Sequence, residues 1–598
     1  MRDYAALIFD DLNPRAAEAA QRRLERAGWR VAHESAGCRV FRAGDRALPI
    51  WASADRSTLI VGDLFAAPRL DPGDTPETFC QRLLARTWGR YVVISRDQHG
   101  ALTSVFRDPS STLDAVIWRQ EGFCLVASEF PVALGELGQN LTIDWETIGA
   151  SLVDPLVLAS ACGVAGMETV TPGALRTFDG KRSVEKLLWS PAHFARLRRK
   201  DDAGSRTDLV GAIDHCIEML CGLGGDVIAE VSGGLDSSIV ASALARAPSA
   251  RVVQWLHFYI DDPAGDERPY AQAMAGMLGV KLTQACKPPG RLDHDAIADF
   301  AFGAKPSWRV IDGAYDREMA ERATALKASR IMTGLGGDTV FMQGADPWLA
   351  GDALACGRGS WLPRVARFSK RSVYGIARKA LLEALGVQPP LIPPRAPWLS
   401  AATLEAGRQA RRHPWFDDLA GVSAPKRQQI LGLAHTLMIH GRSRRTAVAD
   451  VESPLMCQPV MELCLSLSAI DQTRGGDDRA MARAAFSDRL PREIQVRRSK
   501  AGYGAYYGRM VAHDLPALRE LLLDGMITSA GLVDRDGLDR LLSPDTLVRQ
   551  GPYREILNLV VLEHWARSWR DLGAGGGGGS RGRGPRERLI EESQGFSI

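Results

Sequence analysis

Seven residues, Ser232-Gly233-Gly234-Leu235-Asp236-Ser237-Ser238, constrain this chain more than any other stretch. They follow an apolar run, Val227–Val231, and open a helical pattern, Ser237–Ala245. A helix N-terminus presents unpaired N–H groups and the positive end of a dipole, which suits an anion. Gly233 and Gly234 let the backbone approach that anion, and Ser232, Ser237 and Ser238 add hydroxyl donors. Asp236 would repel a bare phosphate, so its presence calls for a bridging cation. Mg²⁺, a hard ion that shares phosphate oxygens with carboxylates, fits. The loop has no Lys of the GxxxxGK[ST] kind, so it is not a Walker-type nucleotide site.

A strand, a Gly-rich turn and a helix in that order imply a parallel sheet, and the surrounding texture agrees. From about 205 to 345, strand patterns (Val227–Val231, Val252–Tyr259, Arg330–Thr333) alternate with helical ones (Asp208–Leu220, Ser237–Ala245, Pro269–Leu278). This is the pattern of an open sheet covered by helices. A second Gly-rich turn, Thr333-Gly334-Leu335-Gly336-Gly337-Asp338, follows the last of those strands. Carboxylates at the carboxyl ends of two parallel strands can face one crevice. Asp236 and Asp338 are therefore the expected metal ligands. Lys500 stands out because Arg supplies most of the positive charge, and it follows Arg497-Arg498 directly through Ser499.

The first 190 residues read differently. Short strand patterns at Tyr4–Phe9, Arg39–Phe41, Leu59–Val61, Tyr91–Ser95, Leu102–Phe106, Ala115–Trp118 and Phe123–Ala127 are broken by turn residues, with helical patterns at Pro14–Ala27 and Glu77–Thr87 between them. Asn13 before Pro14 is a good helix start. Residues 350–410, rich in Pro, Arg and Trp, give no clear assignment, and 425–570 is mainly helical. With 598 residues the chain needs more than one domain. We expect a β-rich domain over 1–190, an α/β domain with a helical extension over 205–570, and a disordered Gly- and Arg-rich tail over 574–598. Lys plus Arg number 74 and Asp plus Glu 71, a net +3 that gives no electrostatic case for nucleic acid or membrane. No apolar run is long enough for a membrane span, the N-terminus is unlike a signal peptide, and the ten Cys form no zinc spacing. A cytoplasmic protein with reduced thiols is expected.

The seven-residue loop resembles the pyrophosphate loop of the ATP-pyrophosphatases, and the chain as far as about residue 570 resembles the asparagine synthetase superfamily. Phe106-Arg107-Asp108-Pro109 and Val126-Ala127-Ser128-Glu129 look like its glutaminase-type (Ntn-hydrolase-type) αββα domain, and Pro172-Gly173 sits at the hand-over to the synthetase. Thr333–Phe341 resembles the second metal-binding segment. Pro454-Leu455, Gln458-Pro459, Glu462, Asp478-Arg479, Arg483 and Arg497–Gly502 follow in the family's order. The resemblance implies ATP as substrate, pyrophosphate held by Ser232, Gly233, Gly234, Asp236, Ser237 and Ser238, and Mg²⁺ held by Asp236 and Asp338. It implies adenosine near Val231, Phe258 and Gly334, and Lys500 as the lysine that stabilises the transition state near the α-phosphate. Asp266-Glu267 resembles a family segment, but a helix-start pair explains it equally.

Two departures narrow the expectation. Residue 2 is Arg2, where glutamine-using members expose a nucleophilic Cys, so the N-terminal domain should be a remnant. Leu335 stands where asparagine synthetases carry an acid and β-lactam synthetases a catalytic Tyr. The remaining resemblance is to lasso peptide cyclases, with Ala396-Pro397-Trp398-Leu399 and Gln458-Pro459 among the shared segments. It implies a macrolactam synthetase that adenylates an Asp or Glu side chain of a core peptide and joins it to the peptide's N-terminal amine. A leader-binding protein and a leader peptidase are the implied partners. The alternative is a β-lactam synthetase-like or ammonia-dependent asparagine synthetase-like amide ligase.

Overall fold

The computed structural model describes residues 3–10, 14–44, 46–66, 73–137, 141–180, 182–262, 265–287, 290–343, 346–387, 396–498 and 504–574. Arg2, Asn13, Pro389-Pro390, Pro393-Pro394, Lys500 and all but the first residue of the expected tail lie outside them.

The N-terminal part holds twelve described strands: β1 (Tyr4–Ile8), β2 (Trp29–Ser35), β3 (Cys38–Ala43), β4 (Ile50–Ala52), β5 (Thr58–Leu64), β6 (Gly89–Arg96), β7 (Leu102–Arg107), β8 (Val116–Gln120), β9 (Phe123–Ala127), β10 (Met167–Thr169), β11 (Ala174–Asp179) and β12 (Arg182–Leu187). They form two antiparallel sheets, ordered β10-β8-β9-β1-β3-β2 and β12-β11-β7-β6-β5-β4. Alternation along each strand explains the layering. Tyr4, Ala6 and Ile8 of β1 meet Val92 and Ile94 of β6 between the sheets. Ala5 and Leu7 face outward onto helix α1 (Arg15–Arg26) through Ala17, Ala20 and Leu24. On the other side Tyr91 and Val93 pack beneath Phe79 and Leu83 of α2 (Pro76–Arg86). Thr75 caps α2 by accepting the Thr78 N–H at 3.2 Å. The result is the expected four-layer αββα arrangement. Strands β2 and β12 were not foreseen because they are exposed edges with charges along their length, and only pairing across the sheet reveals them.

The C-terminal part is built on a parallel sheet, β13 (Asp226–Glu230), β14 (Val252–Ile260), β15 (Leu282–Lys287), β16 (Ala328–Met332) and β17 (Asp450–Glu452), in the order β15-β14-β13-β16-β17. One face is covered by α3 (Ala203–Gly222), α4 (Leu235–Leu244) and α5 (Arg268–Leu278), the other by α6 (Gly313–Ala325). Four described α-helices occupy the segment the sequence left unassigned: α7 (Leu349–Ala355), α8 (Leu362–Phe368), α9 (Val373–Ala384) and a further one over Ala401–Gln409. The helical extension adds α10 (Ala424–Met438), α11 (Gln458–Ser466), α12 (Gly504–Leu523) and α13 (Tyr553–Ala574). No helix among the described residues is long and apolar enough to cross a membrane.

The two parts share one core. Trp118, Phe130 and Ile148 of the first pack with Phe300, Trp565 and Trp569 of the second. Trp565 and Trp569 both donate their ring N–H to Gly303 O at 2.8 Å. A buried ion cluster adds to the seam: Arg90 of β6 pairs with Asp63 of β5 and with Glu452 of β17, which also accepts from Arg330 of β16 at 3.1 Å.

Candidate functional site

Strand β13 ends at Glu230, and the chain turns through Val231–Gly234 into α4. Gly233 takes a left-handed φ of 79°. A Cβ there would lie 2.8 Å from Glu267 O and 2.9 Å from Ala271 N, so only glycine fits. The serines brace the loop from within. The Ser232 N–H donates to Ser237 Oγ at 3.0 Å, the Gly234 N–H to Ser232 Oγ at 3.3 Å, and the buried Ser238 hydroxyl to Gly234 O at 2.8 Å. The hydroxyls thus hold the turn open for the first-turn N–H groups of α4, which have no acceptor within the helix.

The second Gly-rich turn packs directly on the first. A Cβ on Gly334 would fall 2.5 Å from Ser237 N, and one on Gly337 would fall 2.2 Å from Asp236 Cγ. The chain then enters a single helical turn, Gly337–Val340, that carries Asp338. Gln429 of α10 supports this turn by donating to Thr339 O and Val340 O at 3.2 and 2.8 Å. The fully buried Lys426 donates in turn to Gln429 Oε1 at 2.7 Å. Burial pulls the Lys426 ammonium down to about 7.

Asp236 and Asp338 meet at Arg479. One guanidinium nitrogen donates to Asp236 Oδ2 at 2.9 Å and to Asp338 Oδ1 at 2.6 Å. The two accepting oxygens therefore lie within about 5.5 Å of each other, the sum of those two distances. Two carboxylates this close fit one divalent cation shared with phosphate oxygens. The rest of the guanidinium grips Asp478 Oδ2, which also accepts from Arg483 at 2.9 Å. Burial opposes charge on Arg479, but Asp236, Asp478 and Asp338 outweigh it and hold the group above its ordinary value. Arg479 has φ 49°, an uncommon conformation for a residue with a Cβ.

A second arginine clamps the loop from the other side. Arg497 pairs with the buried Glu267 at 2.7 Å, donates to Gly233 O at 3.2 Å and lies 4.1 Å from the Tyr270 ring centroid. Glu267 thus has a partner across the fold, while its neighbour Asp266 pairs locally with Arg268. Lys500, outside the described residues, is three residues beyond this anchor, a chain reach of about 11 Å at most.

Two of the residues expected near adenosine point away from the loop. Val231 is buried beneath α4 and α5, with its carbonyl accepting from His257 Nδ1 at 2.8 Å. Phe258 projects to the opposite face of the sheet, where its ring meets Tyr315 edge-on at 5.0 Å. Their backbones alone stay at the carboxyl edge. Leu335 donates its N–H to Thr333 Oγ1 at 3.3 Å and offers no titratable atom. Arg107, Ser128 and Glu129 line a cavity of about 80 Å³ between the two parts, together with Lys305, His413 and Arg442.

Sequence reasoning missed the roles of Arg479, Glu267 and Arg497. Two acids in Gly-rich turns signal a need for positive charge, but nothing local in the sequence says which of the many arginines supplies it.

Residues 212–567 match the family model described as asparagine synthase. No curated protein matches the chain. Similar solved structures include the allosteric regulatory enzyme of purine biosynthesis, at 9% identity over 48% of this chain and 76% of that one, with a TM-score of 0.18. Another is the glutamine phosphoribosylpyrophosphate amidotransferase from B. subtilis complexed with ADP and GMP, at 11% identity over 55% and 90%, with a TM-score of 0.20.

Proposed function

Because the chain belongs to the asparagine synthase family of ATP-dependent amide-forming ligases, we propose that it is a macrolactam synthetase of the lasso peptide type. It adenylates an Asp or Glu side chain of a core peptide, and the peptide's own N-terminal amine then closes an isopeptide ring. The observation that carries the ligase chemistry is the meeting of Asp236 and Asp338 beside the loop at the start of α4. What favours an internal amine over ammonia or a β-lactam nitrogen is Leu335 in place of an acid or Tyr.

In this reading the Ser232–Ser238 loop binds the β- and γ-phosphates through its backbone N–H groups. Asp236 and Asp338 would hold Mg²⁺, whose part is to neutralise the phosphates as pyrophosphate leaves. Arg479 supplies a further cation to the same crevice. The substrate carboxylate attacks the α-phosphorus, pyrophosphate departs, and Lys500 stabilises the charge that develops there. At about 4 Å and an effective dielectric of 20, such a charge contributes about 4 kcal/mol. The amine then attacks the acyl carbon, and AMP leaves with the electron pair of the acyl–oxygen bond. A terminal α-amine has a pKa near 8, so about a tenth is free base at pH 7, which lowers the demand for an enzymic base. Holding amine and acyl carbon together can lower the barrier by about 7–11 kcal/mol. A leader-binding protein and a leader peptidase would deliver the substrate.

The test offers leaderless peptides that carry an acidic residue several positions from the N-terminus, with ATP and Mg²⁺. Expected are stoichiometric AMP and a product lighter by one water. Amide formation with free aspartate and ammonia, and with no peptide, would replace this reading by the asparagine-forming one.

A further inference from the structure

Helix α9 packs inward through Ile376 and Ala380, onto a small core with Leu349 and Val365. Its outward side is apolar as well. Tyr374, Leu381 and Leu385 are 81%, 60% and 70% exposed. Of the eighteen large apolar side chains exposed among the described residues, seven fall between Leu354 and Val387. Single exposed apolar residues are ordinary, whereas a cluster marks an interaction surface.

The spacing says what kind. Tyr374, Ala377, Leu381 and Ala384 follow one another at steps of three, four and three, the a/d seam of a helix that packs on another helix. Large side chains alternate with alanines, so the seam offers both knobs and holes. A lipid surface has no use for that alternation.

The charge says what partner. Residues 346–387 carry seven Lys and Arg against three acids, a net +4, where the whole chain is only +3. Two of those acids are turned inward: Asp352 is buried and accepts the Ile470 N–H, and Glu383 accepts the Ala424 N–H. Arg364, Arg367, Lys370, Arg371 and Arg378 are exposed, and none is ion-paired among the described residues. A second copy meeting this face with its own would set like charges against each other.

We infer that the α9 face docks an acidic amphipathic helix of a partner protein, with the seam packing its apolar stripe and the arginine rim pairing with its carboxylates. The inference is independent of the chemistry proposed above.

The test uses the full chain and a labelled helical peptide of about 18 residues with Leu at a and d and Glu at the flanking positions. Fluorescence anisotropy should show binding that weakens as salt rises from about 50 to 200 mM. Leu381→Asp with Leu385→Asp should weaken it at least about tenfold. Arg371→Glu with Arg378→Glu, which leaves the apolar seam intact, should do the same, and a Lys-flanked peptide should not bind. Equal binding of acidic and basic peptides, or unchanged binding by both double variants, overturns the inference. So does a patch-dependent affinity for vesicles containing about a third phosphatidylserine, or a dimer in sedimentation that the Leu381→Asp with Leu385→Asp variant abolishes.

Discussion

Arg90 and Arg479 make the same kind of contact in two regions of the molecule, with opposite consequences. Each guanidinium bridges carboxylates from separate elements: Asp63 and Glu452 for Arg90, Asp236 and Asp338 for Arg479. The Arg90 cluster is closed, its side chains all below a tenth exposed, and it joins β6 to β17 across the seam between the two parts. The Arg479 cluster is open on one side, because the Asp338 side chain is 35% exposed. A sealed ion pair is a structural tie whose loss strands a buried charge. An open one can trade its cation for another without unfolding anything. The difference separates stability from chemistry, and it can be tested.

The largest effect should come from the open cluster. Asp338→Ala should abolish AMP formation, a loss of at least about three decades, while the melting temperature stays close to wild type. Wild-type turnover by this variant would remove Asp338 from the site. Next comes the closed cluster, with the reverse signature. Arg90→Leu should cost about 3–5 kcal/mol of stability by removing the cation buried between Asp63 and Glu452 and leaving Glu452 to Arg330, with kcat per folded molecule unchanged. A melting curve and a burst titration of active sites read the two effects apart.

Lys500→Ala should lower kcat by about two to three decades with little change in KM, and Lys500→Arg should also be impaired because a broad fork replaces a compact ammonium. Steady-state AMP formation at saturating Mg²⁺ measures both. A rise in the KM for ATP with kcat intact would make Lys500 a ground-state contact instead.

The smallest effect concerns Glu129 on the wall of the interdomain cavity. Burial pushes its carboxyl up to about 7, against the stabilising N–H groups of Ala304 and Phe130. The folded state therefore keeps its proton to higher pH than the unfolded chain does. Wild-type stability falls as pH rises from about 4.5 to about 7, and the cost is complete above that. Glu129→Gln keeps the accepting oxygen and carries no charge. It should match wild type near pH 4 and exceed it by about 3 kcal/mol at pH 8. Thermal melts across that range would show it, and a constant offset at every pH would contradict it.

Much of this protein was legible before any coordinates. The apolar run Val227–Val231, the glycines after it and Asp236 declare a strand, a turn and a helix start by local rules, and Thr333–Asp338 repeats the form. The parallel sheet and the β-layered first part follow from periodicity. The edge strands β2, β12 and β17 did not, because an exposed or three-residue strand has no apolar run of its own and exists only through its neighbours' hydrogen bonds. Residues 350–410 hid their helices behind proline and arginine, though Pro363 sits in the first turn of α8, where its missing N–H costs nothing.

The candidate site divides in the same way. Local sequence determined that Asp236 and Asp338 would stand on Gly-rich turns at strand ends, since turn chemistry is written within a few residues. Tertiary structure alone decided that a guanidinium 243 residues from Asp236 would sit between them, that Arg497 would hold Gly233, and that Phe258 would face away from the loop. A cation finds its carboxylate by distance in space, and a chain rich in arginine does not announce which one will arrive.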